Sequence, residues 1–281
     1  MKLPKKLPPA VVEAARQALH RVAPDHWVRD VLGVQPDPWQ RDLMRLPAGG
    51  QAVVLTGRQA GKSSTACWMA AHVARFRPGS LSIIANPSQR QSAEALRRCR
   101  AALLQADVDL ISANVFSLET KAGSRILALP GSDDSVRGLS VDGLIIADEA
   151  ARLTPALISA LRPMRARHPG ARFLMLSTAW SLGDPFWQVW AGDDPSWLRI
   201  KATADVNPRY TAEFLDSERR ALGETAYRRE YLGEPLGQGA SPFTWELFQQ
   251  ATSPTPMPAY PAAPAPAPAE IALPTPFAVS A

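Results

Sequence analysis

Short apolar runs alternate along this chain with polar turns and amphipathic stretches. Ala52 to Leu55, Leu81 to Ala85, Leu144 to Ala147 and Arg172 to Leu176 read as buried strands. Between the first two, Lys62, Thr65, Ala66, Trp68, Met69, Ala70 and Val73 keep helical spacing, and Ser88 to Leu104 predicts another helix. Strand alternating with helix implies βαβ crossovers and a mostly parallel sheet. Val115 to Leu118 and Arg125 to Leu129 predict a hairpin around Lys121-Ala122-Gly123.

The flanks differ in texture. Ala10 to Val22 predicts a helix, followed by a loop rich in Pro and Asp and a short helix beginning near Trp39-Gln40. Past the last strand, Trp180, Trp187, Trp190 and Trp197 predict a small aromatic core, because the run lacks the interleaved basic residues of a base-stacking platform. Thr211 to Leu222 and Ala226 to Leu232 predict two helices that form a small cap on the sheet. From Thr252 onward there are nine Pro, nine Ala and one charge, Glu270, a composition that predicts a disordered or polyproline-II-like tail. The expected organisation is an N-terminal helical segment (1–45), a sheet core (46–180), a lid (181–236), a linker-like segment (237–251) and the tail (252–281).

Composition narrows the class. Hydrophobic residues at 46% and charged residues at 20% are an ordinary globular balance, and the net charge of +5 suits a nucleic-acid partner without requiring one. Cys67 and Cys99 fall in helical patterns with no CxxC or Cys/His neighbour, so neither zinc nor a disulfide framework is indicated. No apolar run approaches the roughly 20 residues needed to span a bilayer. The basic start, MKLPKKLPPA, has no apolar stretch after it, so a cytoplasmic setting with no membrane partner is expected. Basic side chains gather at Arg90, Arg97, Arg98 and Arg100, and again at Arg162, Arg165, Arg167 and Arg172. Such runs usually form solvated faces, and DNA footing is the functional alternative.

The chemistry begins at Val53 to Ser64, VVLTGRQAGKSS. Strand, Gly-containing turn, Lys-Ser and helix is the layout of a phosphate-binding loop, with backbone N–H groups and a lysine facing an anion. The general pattern wants Gly six residues before the lysine; Thr56 stands there and the Gly comes one step late at Gly57. Taken alone, the stretch also fits an ordinary strand–turn–helix. The run ending Ala147-Asp148-Glu149 changes that balance, since it delivers two carboxylates to the strand edge where α/β sheets bind ligands. Asp148 would hold Mg²⁺, and Glu149 would orient and deprotonate a water. The pair could instead cap the helix near Thr154-Pro155, but a GKSS loop upstream supports the hydrolytic reading. Ser177-Thr178, at the next strand end, could sense a γ-phosphate or bond the catalytic Glu. Gln40 could read adenine through its amide, or be a solvated first-turn residue.

Together these motifs resemble the ATPase portion of the large terminase subunit of tailed bacteriophages, the motor that packs double-stranded DNA into proheads. The resemblance spans roughly residues 25 to 250 and rests on five matches in order. They are Trp39-Gln40; the loop variant Arg58-Gln59-Ala60-Gly61-Lys62-Ser63; Arg137-Gly138; Ser177-Thr178, with Ala179 where Pro is frequent; and Arg228 to Gly233. It implies a RecA-like phosphate-loop fold with a small C-terminal lid, ATP and Mg²⁺ as cofactors, and a nucleotide site of Gln40, Gly57, Arg58, Gln59, Ala60, Gly61, Lys62, Ser63 and Ser64. It also implies Ser63 and Asp148 on the metal, Glu149 as catalytic base and Ser177-Thr178 as coupling residues. Arg58 and Arg137 are arginine-finger candidates, Arg137 acting across a ring interface and Arg58 contacting phosphate in its own subunit. Implied partners are double-stranded DNA, the portal and prohead, a small terminase subunit and further copies of the chain. The family normally continues into a nuclease domain with clustered Asp residues. Here PFTWELFQQA runs into the Pro/Ala tail, so the expectation is no nuclease activity in this chain, with the nuclease either on a separate chain or lost by truncation. The alternative is a truncated prophage remnant that only binds partners.

Overall fold

The computed structural model describes residues 8–131, 138–205, 207 and 210–235. Three helices lead in: α1 (Pro9–Val22), α2 (Pro24–Leu32) and α3 (Pro38–Met44). Then follow β1 (Gln51–Thr56), α4 (Lys62–Phe76), β2 (Leu81–Asn86), α5 (Gln89–Gln105), β3 (Leu110–Ala113), β4 (Ser117–Thr120), β5 (Arg125–Pro130) and β6 (Leu144–Asp148). The remainder holds α6 (Pro155–Leu161), β7 (Arg172–Ser177), α7 (Pro185–Ala191), β8 (Trp197–Ala202), α8 (Ala212–Leu222) and α9 (Glu224–Leu232).

The eight strands form one sheet in the order β3-β4-β5-β2-β6-β7-β1-β8. From β5 to β8 every pairing is parallel; β4 runs antiparallel to both β5 and β3. The central strands are buried on both faces, which is why they read as continuous apolar runs. Their side chains still alternate. Ala52, Val54, Ile84, Leu144, Ile146, Leu174 and Leu176 face the layer built from α2 to α5, whereas Val53, Leu55, Ile83, Ile145, Phe173 and Met175 face α6 and α7. Burying each of these side chains larger than alanine contributes about 1.5–3 kcal/mol, so this two-sided core carries the architecture. Among the described residues, no helix is long and apolar enough to cross a membrane.

The sheet runs further than the apolar runs predict. Residues 197–202, expected in the lid, pair as β8 along the whole of β1. Trp197 is buried there against Phe173, ring centroids 5.8 Å apart, so one tryptophan of the expected separate aromatic core belongs to the sheet. What stands off the sheet is α8 and α9, packed around Tyr227 and Tyr231. The loop expected after α1 is a helix, α2, with Pro24 in its first turn and Gly33 closing it in the left-handed conformation. The hairpin is a β3-β4-β5 meander whose middle strand begins at Ser117. The linker and tail lie outside the described residues.

Candidate nucleotide site

β1, β7 and β6 end side by side. Their register sets Leu55 opposite Ser177 and Asp148 opposite Leu176. Strand β7 thus separates the loop strand from the acidic strand, and its Ser177-Thr178 end sits between them.

The loop after β1 is held from three directions. The buried Thr56 hydroxyl donates to the Ser177 carbonyl, 3.3 Å. The Gly57 amide donates to Ala202 at the end of β8, 3.1 Å, and the Arg58 amide to the Glu230 carbonyl in α9, 2.9 Å. A Cβ on Gly57 would lie 3.0 Å from the Tyr231 carbonyl and 3.1 Å from the Tyr210 hydroxyl. The displaced glycine is therefore a close-packing requirement of the lid. Gln59 and Gly61 turn the chain through positive φ, 57° and 91°, and α4 starts at Lys62. Ala60 is buried beneath the loop, whereas Arg58 and Gln59 are exposed.

Lys62 Nζ reaches Glu149 Oε1 at 2.9 Å. Glu149 is itself in the left-handed region, φ 53°, at a cost of about 1 kcal/mol for a residue with a Cβ. Its amide donates to Asp148 Oδ1 and its carbonyl accepts from Arg152, which closes the short 3₁₀ turn 150–152. Asp148 is nearly inaccessible. Burial pushes its carboxyl above the usual range, with the Lys62 charge and a hydrogen bond from Ser63 working the other way. Ser177 Oγ accepts from the Ala151 amide, 3.2 Å, tying the β7 end to the turn behind Glu149.

The structure thus brings together Lys62, Ser63, Asp148, Glu149 and Ser177, with the buried Thr178 beside them. A cleft of about 420 Å³ opens at Ser63 and Asp148 and is bordered by Asn86, Ser88, Arg90 and Arg98. The donor set fits Mg²⁺: a hydroxyl and a single carboxylate, both hard oxygens, hydrogen-bonded to each other. Among the described residues no group of three or more His, Cys, Asp or Glu could hold a metal, so such an ion would lean on phosphate oxygens and water for its other ligands.

Three expected positions are engaged by the protein's own groups. Gln40 is fully buried, with both ends of its amide bonded inside the protein. Its Oε1 accepts from the Asp37 amide, 2.8 Å, and its Nε2 donates to Thr65 Oγ1, 2.8 Å, so it pins α3 onto the phosphate-loop helix. Arg58 pairs through Nε with Glu230 Oε2 at 2.7 Å instead of standing free over the loop. Ser64 accepts from Arg98, 2.9 Å, at the border of the cleft. Arg137 lies outside the described residues. The basic runs are partly structural too: Arg97 and Arg98 both pair with Glu94, while Arg165 and Arg172 bind the carbonyls of Gly49 and Leu46 ahead of β1.

Glu230, inside the matched stretch Arg228 to Gly233 but given no role there, and Asn86, which belongs to no motif, both carry site geometry. Glu230 is buried between Arg58 and Arg229; burial alone would raise its carboxyl, but the two guanidinium groups hold it below the ordinary range. Its signal was the one acid closing the basic stretch Arg228-Arg229-Glu230. Asn86 ends β2, with its amide nitrogen 3.4 Å from Asp148, a position visible only once strand order is known.

Phosphate loop, acidic strand end and intervening polar strand end define a phosphate-loop NTPase fold. The family comparison makes this specific: the model for "Terminase large subunit, T4likevirus-type, N-terminal" matches residues 53–250, and the chain belongs to that family. No curated protein matches the chain. Among solved structures, the large terminase ATPase domain of Thermus phage P74-26 is 22% identical, with TM-score 0.66, covering 75% of this chain and 98% of that one. The bacteriophage HK97 large terminase is 16% identical, TM-score 0.61, covering 76% and 55%. The large terminase of another thermophilic bacteriophage, in complex with ATP-gamma-S, is 16% identical, TM-score 0.52, covering 78% and 52%. These likenesses carry the fold, and the chain spans about half the length of the latter two.

Proposed function

We propose that this chain is a Mg²⁺-dependent ATPase whose turnover moves double-stranded DNA into a viral prohead. The observation that carries the reading is the convergence of Lys62, Ser63, Asp148 and Glu149 at the ends of β1 and β6, on either side of β7. Lys62 would bind the β/γ-phosphates, releasing Glu149 from its ion pair. Glu149 would then take the proton of the attacking water. Ser63 and Asp148 would hold Mg²⁺, which supplies charge neutralisation on the phosphates when bound. Ser177 touches the backbone behind Glu149, so loss of the γ-phosphate has a direct route into β7. Arg58 and Arg137 remain the finger candidates, Arg137 from a neighbouring copy in a ring.

Partners follow the same reading: double-stranded DNA, the portal of the prohead, a small terminase subunit and further copies of this chain. The thermophilic-phage large terminase with ATP-gamma-S bound supports nucleotide as the ligand class. The test is phosphate release from ATP with Mg²⁺, with and without DNA and portal-bearing proheads. Turnover that rises with DNA and proheads supports the motor reading. Turnover no greater than that of Lys62→Ala under any of these conditions overturns it.

A further inference from the structure

Trp180 belongs to none of the machinery above. It lies two residues beyond Thr178 and leaves 39% of its surface exposed, unlike the buried Trp27 and Trp197. Two guanidinium groups lie over its ring, Arg152 at 4.3 Å and Arg229 at 5.0 Å from the centroid. They come from opposite ends of the site. Arg152 closes the turn that follows Glu149, and Arg229 is in lid helix α9.

Contacts continue past the ring. Arg229 donates through Nη2 to Glu230 Oε1 at 2.8 Å, and Glu230 Oε2 accepts from Arg58 Nε at 2.7 Å. The Arg58 amide and carbonyl are bound as well, to the Glu230 carbonyl and the Tyr210 hydroxyl. An unbroken series of contacts therefore joins the turn behind Glu149 to the phosphate loop: Arg152, Trp180, Arg229, Glu230, Arg58.

We propose that Trp180 is a positioning residue for the loop arginine: by holding Arg229 on its ring, it shares the Glu230 carboxylate between two arginines and so sets how firmly Glu230 restrains Arg58. This rests on the reading of the loop as an ATP site. A buried carboxylate must have its charge answered. With Arg229 in place, one oxygen is satisfied and the other is left for Arg58. Without the ring, Arg229 loses its cation–π partner and its long side chain regains rotamer freedom. Glu230 then turns both oxygens to Arg58, which is drawn towards the lid and away from an incoming phosphate.

The test compares Trp180→Ala, Trp180→Phe and Arg229→Gln with the parent chain, each alone and with Arg58→Ala. Amide exchange at Gly57 and Arg58 is measured without nucleotide, and KM and kcat are measured with ATP. The expected result for Trp180→Ala is a KM raised about three- to tenfold, the range of one lost cation–π contact, with kcat changed less than KM. Exchange at the Arg58 amide changes in the same variant. Phe, which keeps an aromatic face, restores most of both, and Arg229→Gln reproduces the Ala effect with the indole intact. In the Arg58→Ala background the KM effect vanishes. An unchanged KM, or an effect that adds fully to that of Arg58→Ala, overturns the proposal. An exchange response in a protein that hydrolyses no ATP overturns the ATPase reading and leaves the linkage standing.

Discussion

Lys62 and Glu149 share an ion pair of 2.9 Å between the phosphate loop and the end of β6. Both side chains are largely sheltered, 11% and 20% exposed, so the pair is worth more than a surface salt bridge. A nucleotide phosphate and the Glu149 carboxylate compete for one ammonium group. Replacing Lys62 with Ala should weaken nucleotide binding by about 1.5–3 kcal/mol, the scale of one charged hydrogen bond, or roughly 10- to 150-fold. Titration of a fluorescent ATP analogue measures it. An affinity within twofold of the parent would remove Lys62 from the site.

Gln40 is expected to matter for stability and not for base choice. Gln40→Ala removes the acceptor of the Asp37 amide and one of the two hydrogen bonds of the Thr65 hydroxyl, which still donates to the Gly61 carbonyl. The cost should be about 1–3 kcal/mol of unfolding free energy. Urea denaturation gives that figure, and competition between ATP and GTP should give an unchanged preference. A lost ATP preference with unchanged stability would restore Gln40 as an adenine contact.

How far the sequence announced this arrangement differs from element to element. The buried strands β1, β2, β6 and β7 were legible because two-sided burial writes continuous apolar runs. The loop and Asp148-Glu149 were legible because their chemistry needs fixed spacing. β8 was not, since WLRIKA mixes charged and apolar positions as an edge strand does and its tryptophan suggested a separate core. Nor was the burial of Gln40, because capping α3 and pinning α4 uses residues 25 positions apart. The pairing of Arg58 with Glu230 spans 172 positions, and no local pattern encodes it.

His72 supplies a pH-dependent stability. It is buried beside Trp27 and Phe76, and its Nε2 lies 2.8 Å from the His20 carbonyl, where the neutral ring donates. Burial lowers its pKa from 6.5 to about 4. The unfolded chain therefore binds the proton more readily than the folded one, and stability falls as pH drops through that window. The contribution is fully present above pH 6.5, declines between 6.5 and about 4, and levels off below, with a total of about 3 kcal/mol. His72→Gln should flatten that part of the curve. A parent and variant with parallel stability curves from pH 7 to 4 would refute the assignment.

Gly57→Ala tests why the loop glycine sits one place late. The added Cβ would press on the Tyr231 carbonyl and the Tyr210 hydroxyl. Backbone cannot yield as a side-chain tip can, so α9 should shift and loosen the Arg58–Glu230 pair. Faster amide exchange across residues 224–232, with the β6 core unaffected, is the expected result. Unchanged exchange in α9 would show that the lid does not require glycine there.

The most direct measurement of the central claim is single-turnover ATP hydrolysis by Glu149→Gln, with nucleotide affinity determined on the same samples. Glutamine cannot take the proton and no longer competes as an anion for Lys62. The account predicts binding as tight as the parent or tighter, and hydrolysis slower by about 10²- to 10⁴-fold, the usual worth of a general base. Hydrolysis within a few-fold of the parent, with binding retained, would contradict it.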